Sequence, residues 1–245
     1  MLDSVPQKKV TFTLNGKDVT VIEGTSIWAA AKAEGELIPH LCHKPEPGYR
    51  SDGNCRACMV EIEGERALVA SCIRTVQENM VVHTNTNRAK RSRALVAELL
   101  AADQPAKAHD ASSHFKEMLE LNGIGKSRFP AKDPSHVPLL DDSHVAMRVN
   151  LDSCIHCNLC VRACREVQVN DVIGMSGRGY EAQIVFDMDD PMGKSTCVAC
   201  GECVQVCPTG ALMPATVLND DQIGDRADYD REVKSICPYC GVGCQ

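Results

Sequence analysis

Between residues 10 and 22 apolar and polar side chains alternate: Val10, Phe12 and Leu14 are separated by Thr11 and Thr13, then Val19 and Val21 by Thr20. A period of two sends one set of side chains to each face of a strand. Between the two runs Asn15-Gly16 supplies the positive-φ pair of a type I′ turn, so the segment predicts a β-hairpin. Thr25 or Ser26 can then cap a helix through Ile27, Ala30, Ala31 and Ala33, which Gly35 ends. Short strands are expected near 59–63, 67–70 and 80–83. Hairpin, helix and returning strands together describe a β-grasp. Over 87–102 the period changes to that of a helix, with Leu95, Val96, Leu99 and Leu100 as the apolar stripe. Arg88, Lys90, Arg91 and Arg93 are expected elsewhere on its surface. A second short helix is expected over 112–121, and Pro130, Pro134 and Pro138 with Asp141 and Asp142 mark an extended connection.

Composition changes this picture chiefly through cysteine. Of 245 residues 44% are hydrophobic, which is ordinary for a globular chain, but only 4% are aromatic, so small lobes lack their usual filling. Fifteen cysteines are the obvious substitute. No run of about 18 apolar residues occurs, and MLDSVPQKKV lacks both a secretory core and a twin-arginine signal. The chain is therefore expected to be cytoplasmic, where a reducing environment favours cysteines as metal ligands over disulfides. A net charge of -7 gives no footprint for nucleic acid or for an anionic membrane, so the partners are expected to be proteins.

The cysteines fall into four groups. CIHCNLCVRAC holds Cys154, Cys157, Cys160 and Cys164, and CVACGECVQVCP holds Cys197, Cys200, Cys203 and Cys207 before Pro208. Both read C-x2-C-x2-C-x3-C, the spacing of a two-cluster bacterial ferredoxin, in which the fourth thiolate of each run serves the other cluster. Cys154, Cys157, Cys160 and Cys207 are expected to hold one [4Fe-4S] cluster, and Cys197, Cys200, Cys203 and Cys164 a second. Ala199 and Gly201 are expected to let backbone N–H groups approach the sulfurs. A pair of zinc knuckles is the alternative, but a third and fourth cysteine in each run exceed what a tetrahedral ion takes. His156 is expected to be solvated and no ligand. Cys42, Cys55, Cys58 and Cys72 have one tight pair between two wide loops, which suits a [2Fe-2S] cluster seated in the β-grasp, as in the plant-type ferredoxin fold this order resembles. His40 and His43 are expected to be bystanders.

Other motifs fall short. Gly125-Lys126-Ser127 and Gly193-Lys194-Ser195 end like phosphate-binding loops, but their first glycine would fall at Glu120 and Met188. Gly174, Gly177 and Gly179 are expected to form a turn, and Asp187, Asp189 and Asp190 a solvated loop. No nucleophile and base stand in register, so no catalytic residue is expected.

The last group is Cys237, Cys240 and Cys244 in CPYCGVGCQ, three thiolates for a [4Fe-4S] cluster that needs a fourth. KSICPYCGVGCQ resembles the opening of the molybdopterin domain in the alpha (catalytic) subunit of cytoplasmic, NAD-linked molybdenum or tungsten formate dehydrogenases. The resemblance runs back through CVACGECVQVCPTGAL and DSCIHCNLCVRACREVQ to the N-terminal [2Fe-2S] region. It implies an electron relay between a Mo/W-bis-pterin site outside this chain and an FMN- and NAD-binding iron-sulfur flavoprotein. Family members commonly add a cluster held by one histidine and three cysteines after the connecting helix, whereas no cysteine follows Gln104–His109 for the next 44 residues. That cluster is expected to be absent, and the chain is expected to be either the front of a longer subunit or one half of a split one. The iron-sulfur subunit of an NAD-coupled hydrogenase and a free-standing ferredoxin-like carrier are the alternative readings.

The expected fold class is α+β. A [2Fe-2S] β-grasp domain is expected over 1–84, a helical linker over 85–146 and a two-[4Fe-4S] ferredoxin-like domain over 147–218. The start of the pterin-linked domain is expected over 219–245.

Overall fold

A computed structural model describes residues 8–215, together with Val233 and Ile236. Strands β1 (Lys9–Leu14) and β2 (Lys17–Ile22) pair antiparallel, closing at Leu14↔Lys17. Asn15 and Gly16 take φ of 49° and 86°, the primed turn whose twist matches that of the strands it joins. Helix α1 (Ile27–Ala33) is capped by Ser26, whose Oγ accepts from Ala29 N at 3.2 Å. It buries Ile27, Trp28, Ala30 and Ala31. Strands β3 (Met59–Ile62), β4 (Val69–Ala70) and β5 (Val81–His83) complete a five-stranded sheet of order β2-β1-β5-β3-β4, with β1 and β5 parallel. Phe12, Ile27, Val60 and Val82 form its core, each at most 1% exposed.

Helix α2 (Asn87–Ala102) begins where expected but faces the other way. Its buried positions are Ala89, Arg93, Ala97 and Ala102, while Leu95 and Leu99 are 39% and 47% exposed. Alanines allow the helix to lie close against β3, which the leucines would hold off. Arg93, expected on the surface, is buried because its Nη1 donates to the carbonyls of Met59 at 2.9 Å and Thr84 at 2.8 Å. Arg93→Met would leave both oxygens without that donor. It is expected to cost about 1–3 kcal/mol, read as a lower urea midpoint with an unchanged slope.

Helix α3 (His114–Leu121), capped by Ser113, buries Phe115 and Met118 against Leu41, Ala57 and Ala97. Phe115 N donates to Pro208 O at 2.8 Å, and His109 Nε2 meets both oxygens of Asp152 at 2.9 Å. Gly210, at φ 82°, sits so close to the linker that a Cβ there would come within 2.8 Å of Asp110 Cβ. The linker therefore packs on both lobes.

In the second lobe β6 (Met147–Val149) is followed by α4 (Leu159–Arg162), which runs into a single π-turn over Ala163–Val167. Strands β7 (Ile173–Ser176) and β8 (Gln183–Phe186) form a hairpin that the hydrophobic pattern did not predict. Its turn uses Gly177 at φ 69°, where a Cβ would lie 2.1 Å from the Glu181 carbonyl oxygen. Helix α5 (Glu202–Val206) and β9 (Leu212–Pro214) follow, and β9 pairs antiparallel with β6. Among the described residues no helix is long and apolar enough to cross a membrane.

Candidate metal centres

The first group of cysteines is drawn together by the β-grasp. Cys42, Cys58 and Cys72 are buried and Cys55 half-buried, and the four thiols interact directly. Hydrogen bonding from Cys55 and then Cys72 pulls the Cys42 thiol down to about 2, and contact with Cys72 draws Cys58 to about 7. The same contacts with Cys42 push Cys55 and Cys72 upward. Four crowded sulfurs cannot all ionise beside one another unless positive charge sits among them, which is what an iron core supplies. Backbone donors already point at sulfur: Cys42 N lies 3.4 Å and Ala57 N 3.5 Å from Cys55 Sγ.

The two ferredoxin-like runs also meet in space, crosswise. One cavity is lined by Cys154, Cys157, Cys160 and Cys207, with Leu151 and Ile155. A second is lined by Cys164, Cys197, Cys200 and Cys203, with Val172 and Ile173. The sequence repeat is matched by a backbone repeat. His156 and Asn158 in the first run, and Ala199 and Gly201 in the second, all have positive φ of 53°, 61°, 57° and 77°. This left-handed turn folds the backbone N–H inward: His156 N lies 3.5 Å from Cys154 Sγ and Ala199 N 3.4 Å from Cys197 Sγ. Val172 N adds a third such contact, 3.3 Å from Cys164 Sγ.

Burial pushes the thiols of this lobe up, Cys154 to about 11 and Cys203 to about 12, with Cys157, Cys160 and Cys197 raised as well. Sulfurs aimed into apolar cavities as thiolates need a cation there. Sulfurs spread around a cavity suit a multi-iron core, where each iron of a cubane takes one thiolate, better than tetrahedral zinc. Such cores take up and release single electrons. Cys237, Cys240 and Cys244 lie outside the described residues.

Several residues that sequence reasoning set aside have structural work here. His40 and His43 pack on Trp28 with ring centroids 4.7 and 4.5 Å away, and His114 joins His40 at 4.9 Å. Burial lowers His40 to about 4 and lowers His43 as well, so these two rings are neutral filling beside Cys42. They supply the bulk that a low aromatic content withholds. Asp187 is half-buried, not simply solvated, and holds Thr196 N at 2.6 Å immediately before Cys197. His156 is half-buried too, and its backbone conformation is its contribution. The signal for these roles lay in loop conformation, which periodicity does not report.

Residues 7–87 match the 2Fe-2S iron-sulfur cluster binding domain, and residues 153–211 the 4Fe-4S dicluster domain. An NADP-reducing hydrogenase subunit, HndD, of Solidesulfovibrio fructosivorans is 35% identical over 83% of this chain and 36% of its own length. An NADH-quinone oxidoreductase subunit of Rhizobium meliloti is 33% identical over 96% of this chain and 27% of its own. A "Putative formate dehydrogenase" of Staphylococcus haemolyticus is 25% identical over 97% and 27%. The chain thus spans roughly a third or less of the curated relatives it matches. A solved chain of an NAD+-reducing [NiFe]-hydrogenase superposes with a TM-score of 0.76 at 28% identity, over 84% of this chain and 88% of that one. One 2Fe-2S domain and one 4Fe-4S dicluster domain, mixed α and β, are therefore shared with subunits of several oxidoreductases.

Proposed function

We propose that this chain, an iron-sulfur electron-transfer module, relays electrons between the Mo/W-pterin site of a formate dehydrogenase and an NAD-reducing flavoprotein, with one [2Fe-2S] and two [4Fe-4S] clusters. The observation that carries a relay is the contiguity of the three cysteine sites. Cys42 and Cys157 belong to one buried cluster of side chains, and Cys160, Cys164 and Cys203 to the next. Neighbouring sites are therefore joined through continuous buried side chains. Support for formate as the upstream chemistry comes from CPYCGVGC after the ferredoxin-like repeat, which a hydrogenase relay does not require. The likeness to the NAD+-reducing hydrogenase chain favours the second reading, a relay subunit of a hydrogenase. Both readings share the clusters and the NAD-linked end; they differ in what delivers electrons.

The chain purified anaerobically is expected to contain about ten irons if the C-terminal tripod is empty and about fourteen if it is filled. It is expected to be reducible by dithionite, with [2Fe-2S] and coupled [4Fe-4S] EPR signals, and not to oxidise formate alone. Formate turnover by the isolated chain would refute the relay reading. Reduction of the clusters by hydrogen with a co-purifying hydrogenase subunit, and not by formate with a pterin protein, would favour the second.

A further inference from the structure

Arg162 lies in the sequence between Cys160 and Cys164 but does not reach for solvent; it is 2% exposed. Its Nη2 donates to the carbonyl of Cys42 at 2.6 Å and, at 3.4 Å, to that of Cys157. Nη1 donates to the Arg50 carbonyl, and Nε to that of Asn158 at 3.3 Å. The charge is met by Asp52, 3.2 Å from Nε, which also pairs with Arg50. One guanidinium thus grips the main chain of a cysteine from each of two sites. Around it Tyr49 donates to Glu202 at 2.7 Å, Arg50 to Glu166 at 3.0 Å and Asn54 to the His156 carbonyl at 3.4 Å. These last three contacts each join the 42–58 loop to the ferredoxin-like lobe.

We propose that Arg162 is the positioning residue for electron transfer between the Cys42/55/58/72 site and the Cys154/157/160/207 site: it fixes their spacing and sets a permanent positive charge between them. The inference rests on the cluster reading above. A reduced cluster carries one more negative charge than an oxidised one, so the guanidinium charge favours the reduced state on both sides. Its planar fork reaches four separated carbonyls, whereas an ammonium offers three donors from one point. One electron leaves one site and one arrives at the other; no bond is made or broken and the guanidinium keeps its protons.

The test uses the full chain with its clusters, comparing Arg162→Met, Arg162→Lys and Asp52→Asn by EPR-monitored redox titration and by the spin–spin interaction between reduced sites. In Arg162→Met the midpoint potentials of the [2Fe-2S] cluster and one [4Fe-4S] cluster are expected to fall together, the other [4Fe-4S] cluster shifting less, and the spin–spin interaction to weaken. Arg162→Lys is expected to restore the potentials but not the interaction. Asp52→Asn removes the counter-charge and is expected to raise the same two potentials, so the idea stays testable if the methionine variant loads iron poorly. Unmoved potentials in variants holding about ten irons, or an equal fall at all three clusters, would overturn the role of Arg162 alone. An unmutated chain without iron would overturn the cluster reading and this inference with it.

Discussion

Stripping the clusters from the intact chain is expected to unfold residues 147–215 while the β-grasp of residues 8–86 persists. The two lobes differ in what holds them. The β-grasp has a five-stranded sheet and a continuous apolar core under α1. The second lobe has two separate two-stranded sheets, and its helices α4 and α5 span four and five residues. Helices shorter than about 12 residues and lone two-stranded ribbons are marginal by themselves. Its eight cysteines ring two cavities, and burial already disfavours the thiolates of Cys154, Cys157, Cys160, Cys197 and Cys203. Without a metal core those walls face each other across voids and lose their packing partners. Limited proteolysis of the chelated chain should therefore cut at Arg162, Arg165 and Lys194 and spare a fragment ending near α2, with a matching partial loss of circular dichroism. Protection of 147–215 equal to that of the loaded chain would show that the lobe folds on protein contacts alone.

How much of this was legible in the sequence depends on the distance over which each feature is determined. The β1–β2 hairpin and its Asn15-Gly16 turn, the Ser26 cap and the start of α2 are set by neighbours within a few residues, and alternation or capping chemistry reports them directly. The crossed grouping of Cys207 with Cys154, and of Cys164 with Cys197, is long-range, but a repeated ligand spacing encodes it. What escaped was decided by partners far along the chain. Leu95 and Leu99 made the more hydrophobic stripe of α2, yet Ala89 and Ala97 face inward because close approach to β3 and the carbonyls waiting for Arg93 outweigh side-chain hydrophobicity. Nothing in periodicity or motif marks Arg162, since the Cys42 carbonyl it binds lies 120 positions away. Histidines at 40, 43 and 114 scatter in sequence and meet only around Trp28.

The crossed wiring yields the sharpest expectation from a pair of substitutions. If Cys207 completes the site of Cys154, Cys157 and Cys160, then Cys157→Ala and Cys207→Ala damage the same cluster. Damage to one object does not add, so the double variant should lose about four irons, the same as either single variant. Were each run to hold its own cluster, the two changes would strike different clusters and the double variant would lose about eight. Cys164→Ala with Cys200→Ala is the mirror experiment for the second cavity, where Cys200 is the one exposed sulfur among the described cysteines. Combining Cys157→Ala with Cys164→Ala should instead strip both cubanes, although these two residues stand in the same run of sequence. Iron and labile sulfide analysis reads all three double variants, and the [2Fe-2S] EPR signal should survive in each, because no sulfur of the Cys42, Cys55, Cys58 and Cys72 set is touched. A double Cys157→Ala/Cys207→Ala variant that keeps only the [2Fe-2S] iron would mean that the cavities bring the right cysteines together for packing and the wrong ones for ligation.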